Sequence, residues 1–486
     1  NPKPQTPNPK PQTPNPCPPL LNNLMLDLDK ELTRPIHRRA FHTLRTLPRL
    51  VPTQFPSVTI DQDGDRYFQQ LWNTIDSSKD YIWMVMYHFD DTRIGKITLH
   101  KLTEAAKRGV NVCIMHDVLT SELDRDLRKE FNKYGGLDYR LNAMYRIWNI
   151  PTRRYFKRDH EKLIVADNKI FLGSANISVD YAHKKHGVNF FYDLNMWGEN
   201  VCLDRARHFM GRVADWHQVK LTPSMSNDEA VKYFSSLYPS SPYAPTHWKV
   251  MGSFQPDDTE IQEMLVEQIR QAKDKIMIVS PYYYPVKKID KELLKAVQRG
   301  VKVELITARR RDIPSYRDFK NANLMNHLVK NGVNVLQVKD KYLHMKGILF
   351  DDKVFTFGSF NLDKWSWDNN NEFNFTTQEP EHIDYFKKVY SQIKQETVPV
   401  ENSPVTLRFM RRIRIFFWES FLSACNFVMN YRNKYKYEAK EVTLRKLWRE
   451  EILGGKKAKK LPIPEDSIRL YKCVNFEWDD TIGIEH

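Results

Sequence analysis

Short apolar runs alternate with longer amphipathic stretches between residues 51 and 399, and the whole alternation occurs twice. The apolar segments at 81–89 and 275–284 each follow a stretch with helical spacing, at 65–78 and 258–272 respectively. Apolar runs of strand length between helical stretches are typical of an α/β protein with a mixed, mainly buried sheet. The sequence therefore predicts an α/β fold.

The two copies of this pattern are similar in detail. RGVNV at 108–112 matches RGVKV at 299–303, and in each copy a glycine, Gly109 or Gly300, ends a helix just before a strand. The copies are about 190 residues apart, which is too long for the unit of a solenoid. We expect two similar α/β sandwich domains related by a pseudo-two-fold axis.

Amino-acid composition distinguishes the remaining segments of the chain from the two repeated copies. Residues 1–19 contain NPKPQTP twice, a pattern typical of an extended, polyproline-like arm that is either solvated or lies along a partner protein. Proline and serine between 221 and 247 indicate a linker. The predicted organisation is an arm and lead-in (1–50), a first domain (51–220), a linker (221–247), a second domain (248–400) and a C-terminal extension (401–486).

The C-terminal extension contains a basic amphipathic pattern at 407–440. Apolar side chains recur there every three or four residues, and four arginines crowd its start, at positions 408, 411, 412 and 414. This pattern predicts a helix. It either lies in a membrane interface with its apolar face down, or docks on the globular body or another subunit.

One string of residues occurs in equivalent places of both copies: His-x-Lys-x4-Asp, followed shortly by Gly-Ser-x-Asn. Duplication of so many residue types at nearly the same spacing points to a functional site rather than to isolated structural histidines. In the first copy the candidate residues are His160, Lys162, Asp167, Ser174 and Asn176, and in the second they are His344, Lys346, Asp351, Ser359 and Asn361.

The spacing predicts how these groups are presented. His and Lys two positions apart on a strand point to the same face, and the aspartates read as tight turns before a returning strand that brings Ser and Asn alongside. Paired about a two-fold axis, the two sets would enclose a phosphate.

The chemistry that fits is phosphodiester transfer. One imidazole attacks phosphorus, and the other exchanges a proton with the leaving and incoming oxygens. Lysine and asparagine side chains hold the nonbridging oxygens. No metal or cofactor is expected, because the ammonium groups neutralise the phosphate and the five cysteines lack metal-binding spacing.

Each histidine also needs a carboxylate to orient its second ring nitrogen. In the second copy Glu372, in NNNEFNF, is the candidate, and in the first copy Asp193, in FFYDLNMW, lies at a comparable distance beyond its motif.

These motifs resemble the phospholipase D superfamily, whose signature is the HxKxxxxD pair. SPYYYP (280–285), LHMKGILFDD (343–352), GSFNLD (358–363) and the following NNNEFN make the chain similar to cardiolipin synthases of the bacterial type, over roughly residues 57–396. The resemblance implies two domains that form one site, and transfer of a phosphatidyl group to an alcohol or water through a phosphohistidine. It also implies that His160 is the nucleophile and His344 the general acid/base.

The chain departs from this family pattern in two respects. The Arg-Ser pair that often follows GSxNLD is replaced by Lys364-Trp365-Ser366-Trp367, which puts the acceptor pocket in question. The terminal extensions also differ from the usual enzyme, which often has transmembrane helices.

The net charge of the chain favours anionic partners but does not select one class of them. The formal net charge of +15 and pI near 9.3 favour either nucleic acid or acidic lipid headgroups. Aromatic and basic residues mix at 144–158, directly before His160, which favours a headgroup interface. We expect an anionic phospholipid, phosphatidylglycerol or cardiolipin, at a membrane surface. Nucleic acid is less favoured, because superfamily nucleases generally carry one motif per chain. Protein partners are expected at 1–19 and 404–486.

Three functions follow, in decreasing order of support: a phosphatidyltransferase or phospholipase, a catalytically silent subunit of a membrane complex, and a nuclease. The chain begins at Asn1, which is compatible with a removed targeting segment. The expected compartment is the mitochondrial inner membrane, with a bacterial inner membrane as the alternative.

Overall fold

The computed structural model describes residues 55–400, except for 119, 142–157, 188–190, 255–257, 309–323 and 340. These residues belong to one compact unit of the chain, which begins at Thr53. The predicted N-terminal arm, the C-terminal helix and most of the aromatic and basic stretch at 144–158 lie outside the described residues.

The first half contains a seven-stranded sheet in the order β1-β8-β6-β5-β2-β3-β4. Its strands, with a short separate one (β7), are Ser57–Asp61 (β1), Tyr81–Met86 (β2), Asn111–Asp117 (β3), Leu137–Leu141 (β4), Lys162–Ala166 (β5), Lys169–Gly173 (β6), Phe191–Tyr192 (β7) and Asn195–Glu199 (β8). Its helices are Gly64–Ser77 (α1), Arg93–Lys107 (α2), Arg125–Lys133 (α3) and Leu203–His217 (α4), with a 3-10 turn at Val179–Tyr181.

The second half contains a nine-stranded sheet in the order β10-β9-β19-β17-β16-β11-β13-β14-β20. Its strands, with three short ones outside this sheet, are Lys249–Phe254 (β9), Asp258–Thr259 (β10), Lys275–Val279 (β11), Tyr283–Tyr284 (β12), Lys302–Thr307 (β13), Asn334–Val338 (β14), Tyr342–Leu343 (β15), Gly347–Phe350 (β16), Val354–Gly358 (β17), Leu362–Asp363 (β18), Glu372–Thr377 (β19) and Thr397–Pro399 (β20). The helices from the linker onward are Asn227–Leu237 (α5), Glu260–Gln271 (α6), Lys287–Gln298 (α7), Lys364–Asp368 (α8) and Pro380–Gln395 (α9), and residues 324–330 are also helical.

The two halves repeat one arrangement, which confirms the predicted α/β class and the internal repeat. In each, a central strand (β2 or β11) pairs in parallel with the strand that follows the next helix (β3 or β13) and antiparallel with the strand that follows the motif histidine (β5 or β16). Gly109 and Gly300 have φ angles of +88° and +91°, a left-handed conformation that lets the chain leave a helix and enter a strand.

The inner faces of both sheets contribute to one hydrophobic core. That core combines Trp83 and Leu163 of the first sheet with Phe357 and Phe373 of the second. Helix α4 packs between them, and its Phe209 ring lies 4.8 Å from that of Phe373. Because both faces of each sheet are covered, β2 and β5 of the first sheet and β16 and β19 of the second are buried along their whole length.

The structure differs from the sequence analysis at 221–247, where the predicted linker contains helix α5. Ser226 and Glu229 form a capping box at its start, each bonding the backbone N–H of the other. Phe234 is buried beside Tyr81 and Trp83 of the first half. This stretch is therefore partly an ordered element of the first half.

None of the helices in the described part of the chain is both long enough and apolar enough to cross a bilayer.

Candidate active site

His160 lies two residues before the first residue of β5, and its imidazole is oriented by the second half. Its Nδ1 lies 3.1 Å from both carboxylate oxygens of Glu372, the first residue of β19. Its backbone N–H donates to the carbonyl of Asn371 at 3.0 Å. The Tyr87 ring packs edge-on against the imidazole, with centroids 4.6 Å apart. The carboxylate holds the ring proton on Nδ1, which leaves the lone pair on Nε2.

His344 lies three residues before the first residue of β16, and is oriented by the first half in the same way. Its Nδ1 lies 3.2 Å from a carboxylate oxygen of Asp193, and its backbone N–H donates to the carbonyl of Tyr192 at 2.9 Å. The ring of Tyr181 packs edge-on against it at 5.1 Å. Both histidines therefore have the same kind of support: a carboxylate on Nδ1 and a carbonyl on the main-chain N–H.

Each of these two carboxylates therefore bonds the histidine of the opposite half. From the sequence, Glu372 is expected to serve the histidine of its own copy and Asp193 that of its own, whereas the structure pairs Glu372 with His160 and Asp193 with His344. The physical reason is the packing of the halves. Strands β7 and β15 pair in parallel across the interface, and Asp159 forms a matching bridge with Asn371. These reciprocal contacts are what a pseudo-two-fold axis requires.

The two lysines lie beside their own histidines, as the two-residue spacing predicts. Lys162 Nζ donates to the His160 carbonyl at 2.8 Å and lies 4.9 Å from the centre of the Tyr87 ring. Lys346 Nζ donates to the His344 carbonyl at 2.7 Å and lies 3.0 Å from His344 Nε2. The structure therefore gathers two imidazoles and two ammonium groups at the interface of the halves.

Lys346 also lies near the other half's histidine. Strands β16 and β19 are separated only by β17, so Lys346 at the end of β16 lies roughly 10 Å from Glu372 at the end of β19. Since Glu372 bonds His160, the two motifs meet at one place.

Burial and nearby charges set the protonation states of His160 and Glu372. Burial lowers the pKa of His160 to about 4, and the ammonium groups of Lys162 and Lys346 act in the same direction. Glu372 opposes them but does not outweigh them. For Glu372 itself burial acts to raise the pKa, but the His160 ring and two serine hydroxyls outweigh burial and lower it. At neutral pH the pair is therefore a neutral imidazole and a carboxylate.

The motif serines hold the carboxylates. Ser174 Oγ donates to Asp193, and Ser359 Oγ donates to Glu372 at 2.5 Å. Ser366, from the stretch that departs from the family pattern, donates to the other oxygen of Glu372 at 2.5 Å. These hydroxyls are engaged with the carboxylates, so their structural contribution is to fix the acids that orient the histidines.

The motif asparagines differ from each other. Asn176 Nδ2 donates to the hydroxyl of Tyr181 at 2.7 Å, which ties it to a side chain of its own half. Asn361 is buried, and within the described residues its side-chain oxygen has no hydrogen-bond partner. The two asparagines therefore differ at Nδ2, which bonds Tyr181 in Asn176 and bonds no side chain of the described residues in Asn361.

The motif aspartates, which are among the catalytic candidates from the sequence, do not lie at the histidines but in the turns that their spacing predicts. Asp167 and Asp351 follow β5 and β16, at the ends opposite His160 and His344. Five strand residues at about 3.3 Å each separate Asp167 from that end. The Asp167 carboxylate accepts hydrogen bonds from the backbone N–H groups of residues 79, 80 and 81, and Asp351 accepts those of residues 273, 274 and 275. Both aspartates hold turns.

Sequence reasoning missed several residues that surround the histidines. Arg158 forms a buried bidentate ion pair with Asp117, with N–O distances of 2.7 and 2.8 Å, directly before the His160 motif. The rings of Tyr87 and Phe191 pack on the two imidazoles. Aromatic residues near a strand end give no distinctive sequence signal, and the Arg158–Asp117 contact joins residues 41 positions apart.

Among three comparisons with known proteins, the match to a family sequence profile decides the family. Residues 71–195 and 265–394 match the sequence profile of the family described as "Cardiolipin synthase, PLD-like domain". Together the two matches cover more than half of the 486 residues. The chain belongs to this cardiolipin synthase-type, phospholipase D-like family.

Curated relatives from the family include bacterial proteins. The chain is 28% identical over 326 residues to cardiolipin synthase 2 of Staphylococcus epidermidis, covering 65% of this chain and 64% of that protein. It is 26% identical over 321 residues to a cardiolipin synthase of Staphylococcus aureus, covering 64% of this chain and 62% of that protein. The chain thus spans less than two thirds of the length of either relative.

A solved structure shares the fold of the phospholipase D-like family. The crystal structure of phosphatidylserine synthase from Haemophilus influenzae superposes with a TM-score of 0.56 at 14% identity, covering 80% of this chain and 97% of that one. This likeness confirms the fold. The mitochondrial compartment expected from the sequence has no support here, since both relatives are staphylococcal proteins.

Proposed function

We propose that the protein transfers a phosphatidyl group between alcohols through a covalent phosphohistidine, as a cardiolipin synthase-like enzyme. The crossed histidine–carboxylate pairs carry this proposal, because they give each imidazole a fixed tautomer and place both at one interface. The names of the curated relatives support phospholipid as the substrate class.

The first step uses His160 as the nucleophile. Its Nε2 lone pair attacks the phosphorus of the donor lipid, and the bond between phosphorus and the leaving alcohol oxygen breaks. A neutral imidazole is required, and burial supplies it by lowering the pKa of His160 to about 4. The Glu372 carboxylate stabilises the positive charge that develops on the ring.

The second histidine carries the proton in both steps. In the proposed cycle His344 gives a proton from Nε2 to the leaving oxygen, then takes a proton at Nε2 from the incoming hydroxyl. That hydroxyl attacks phosphorus, the bond between phosphorus and His160 Nε2 breaks, and both imidazoles return to their starting state. Lys346, 3.0 Å from His344 Nε2, and Lys162 are placed to balance charge on the nonbridging oxygens.

The proposed partner is an anionic phospholipid surface that meets the active-site end of the second half. Three lysines on the first turns of α7, at 287, 288 and 291, are exposed and form no ion pair within the described residues. Helix α7 begins just beyond the end of β11 that pairs with Gly347, next to Lys346. Unpaired lysines at that rim are suited to headgroup phosphates.

Lipid turnover tests the function directly. Purified protein on phosphatidylglycerol vesicles should convert two donor molecules into cardiolipin and glycerol, or one into phosphatidic acid and glycerol if water is the acceptor. His160→Ala should reduce either reaction by roughly 10⁴-fold or more, and His208→Ala, on an exposed face of α4, should not. Cleavage of single-stranded DNA would instead identify a nuclease, and no turnover of any substrate would identify a silent subunit.

A further inference from the structure

A buried polar cluster beside His160 is not used by the proposed chemistry. The Asp159 carboxylate is only 3% exposed and lies between two donors on different elements. His217 Nε2 lies 2.6 Å from one of its oxygens, and Asn371 Nδ2 donates to the other at 2.7 Å. We call these three residues the Asp159 clamp.

The clamp joins three elements that meet at the interface of the halves. His217 is the last residue of α4, the helix that packs between the two sheets. Asn371 directly precedes Glu372 and belongs to the second half. Asp159 is therefore fixed from both the central helix and the opposite sheet.

Main-chain hydrogen bonds also hold His160 against the clamp. The Asn371 N–H donates to the carbonyl of Arg158 at 2.7 Å, and the His160 N–H donates to the Asn371 carbonyl at 3.0 Å. Residues 158–160 are thus held against Asn371 on both sides of Asp159. The same contacts fix His160 relative to Glu372, the next residue along the chain.

The other histidine has the main-chain contact without this polar clamp. The residue before His344 is Leu343, whose side chain cannot form ion pairs or hydrogen bonds, and the residue before Asp193 is Tyr192. Leu343 is fully buried in the apolar core. The clamp therefore distinguishes the His160 side of an otherwise repeated arrangement.

We propose that His217 is a positioning residue that acts through Asp159 to hold His160 in line with the phosphorus atom. This inference rests on the proposed function, in which His160 is the nucleophile. A nucleophile must approach phosphorus along one direction in both steps, and a displacement of about 1 Å costs on the order of 100-fold in rate. A proton carrier such as His344 tolerates more freedom, because a proton can follow a rotating hydrogen bond.

Pre-steady-state kinetics with phosphatidylglycerol separate positioning from loss of structure. His217→Ala should slow phosphohistidine formation by about 10- to 100-fold, with the amplitude of the burst and KM unchanged. His217→Gln, whose amide can replace the Nε2 donor, should recover most of the rate. A wild-type rate in His217→Ala, or a smaller burst at the wild-type rate, would overturn the proposal.

The matched control is His208→Ala. It removes the same type of side chain from an exposed position on the same helix, and it should behave as wild type.

A second measurement does not depend on activity. Amide hydrogen exchange in the peptide that contains 158–162 should be faster in His217→Ala than in wild type or His208→Ala, because the clamp restrains that backbone. Unchanged exchange would count against the clamp even if the enzyme is active. Faster exchange in a protein that forms no phosphohistidine would instead leave the clamp in place and refute the proposed function.

Discussion

At the scale of single residues, the ionisation of His160 follows from its burial. The low pKa, about 4 compared with an ordinary 6.5, keeps the ring neutral at physiological pH. The imidazole NMR signal of His160, assigned with His160→Ala, should therefore titrate near 4. An ordinary titration near 6.5 would show that the ring is not desolvated as described.

The lowered pKa of His160 also makes the free energy of unfolding depend on pH. Because the folded-state pKa of His160 lies below its unfolded value, the unfolded chain binds more protons between about pH 6.5 and 4. The contribution of His160 therefore lowers the free energy of unfolding as the pH falls through that window.

The crossed carboxylates give a second prediction at this scale. Glu372→Gln should slow attack by His160 by about 10³- to 10⁴-fold, because the amide no longer fixes the tautomer or stabilises the charged ring. Asp193→Asn should instead weaken proton donation by His344. A donor lipid with a p-nitrophenol leaving group needs no proton, so it should rescue Asp193→Asn and leave Glu372→Gln slow.

The control for this pair is Glu381→Gln, at an exposed position on α9. The opposite rescue pattern, with Glu372→Gln restored by the good leaving group, would mean that Glu372 serves the acid/base instead.

The sequence could supply the identity of both histidines but not this crossing. A spacing of two residues along a strand is a local relation. His160 and Lys162 could therefore be placed on the same face from their spacing alone. The partner of a histidine 212 positions away depends on how the halves pack, and no local pattern encodes that. Ser226 and Glu229 are a different case, because their spacing is a recognisable capping box and could have revealed α5.

At the scale of secondary-structure elements, Asp167 holds the connection between β5 and β6. Its carboxylate accepts three backbone N–H groups, and its own φ of +48° is left-handed. Asp167→Ala loses those acceptors and strains the turn, so the free energy of unfolding should fall by about 2–4 kcal/mol. Urea denaturation measures this change.

Turnover per folded molecule should be retained in Asp167→Ala, because the carboxylate lies at the far end of the strand from His160. Asp126→Ala, at a side chain 90% exposed on α3, should change stability by less than about 0.5 kcal/mol. A stable but inactive Asp167→Ala would restore the catalytic role that the sequence predicted.

At the scale of the whole molecule, charge should orient the protein on a lipid surface. Reversing Lys287, Lys288 and Lys291 to glutamate should weaken binding to phosphatidylglycerol vesicles by about 10- to 100-fold. The control reverses three exposed lysines at the opposite end of the second sheet: Lys273, Lys302 and Lys353. Sedimentation with vesicles at low and high salt compares the two variants.

Both triple variants change the net charge equally, so a general charge effect would weaken both to the same extent. Equal losses would therefore contradict an oriented contact. The amphipathic helix at 407–440, which would either lie in a membrane interface or dock on protein, stays a prediction from the sequence.

The most direct measurement identifies the covalent intermediate. The protein is mixed with phosphatidylglycerol, quenched in alkali, which preserves phosphohistidine, and digested for mass spectrometry. We predict a phosphatidyl adduct on His160, or the glycerophosphoryl adduct left when alkali removes its acyl chains, that is absent from His160→Ala. An adduct on His344, or steady turnover without any histidine adduct, would contradict it.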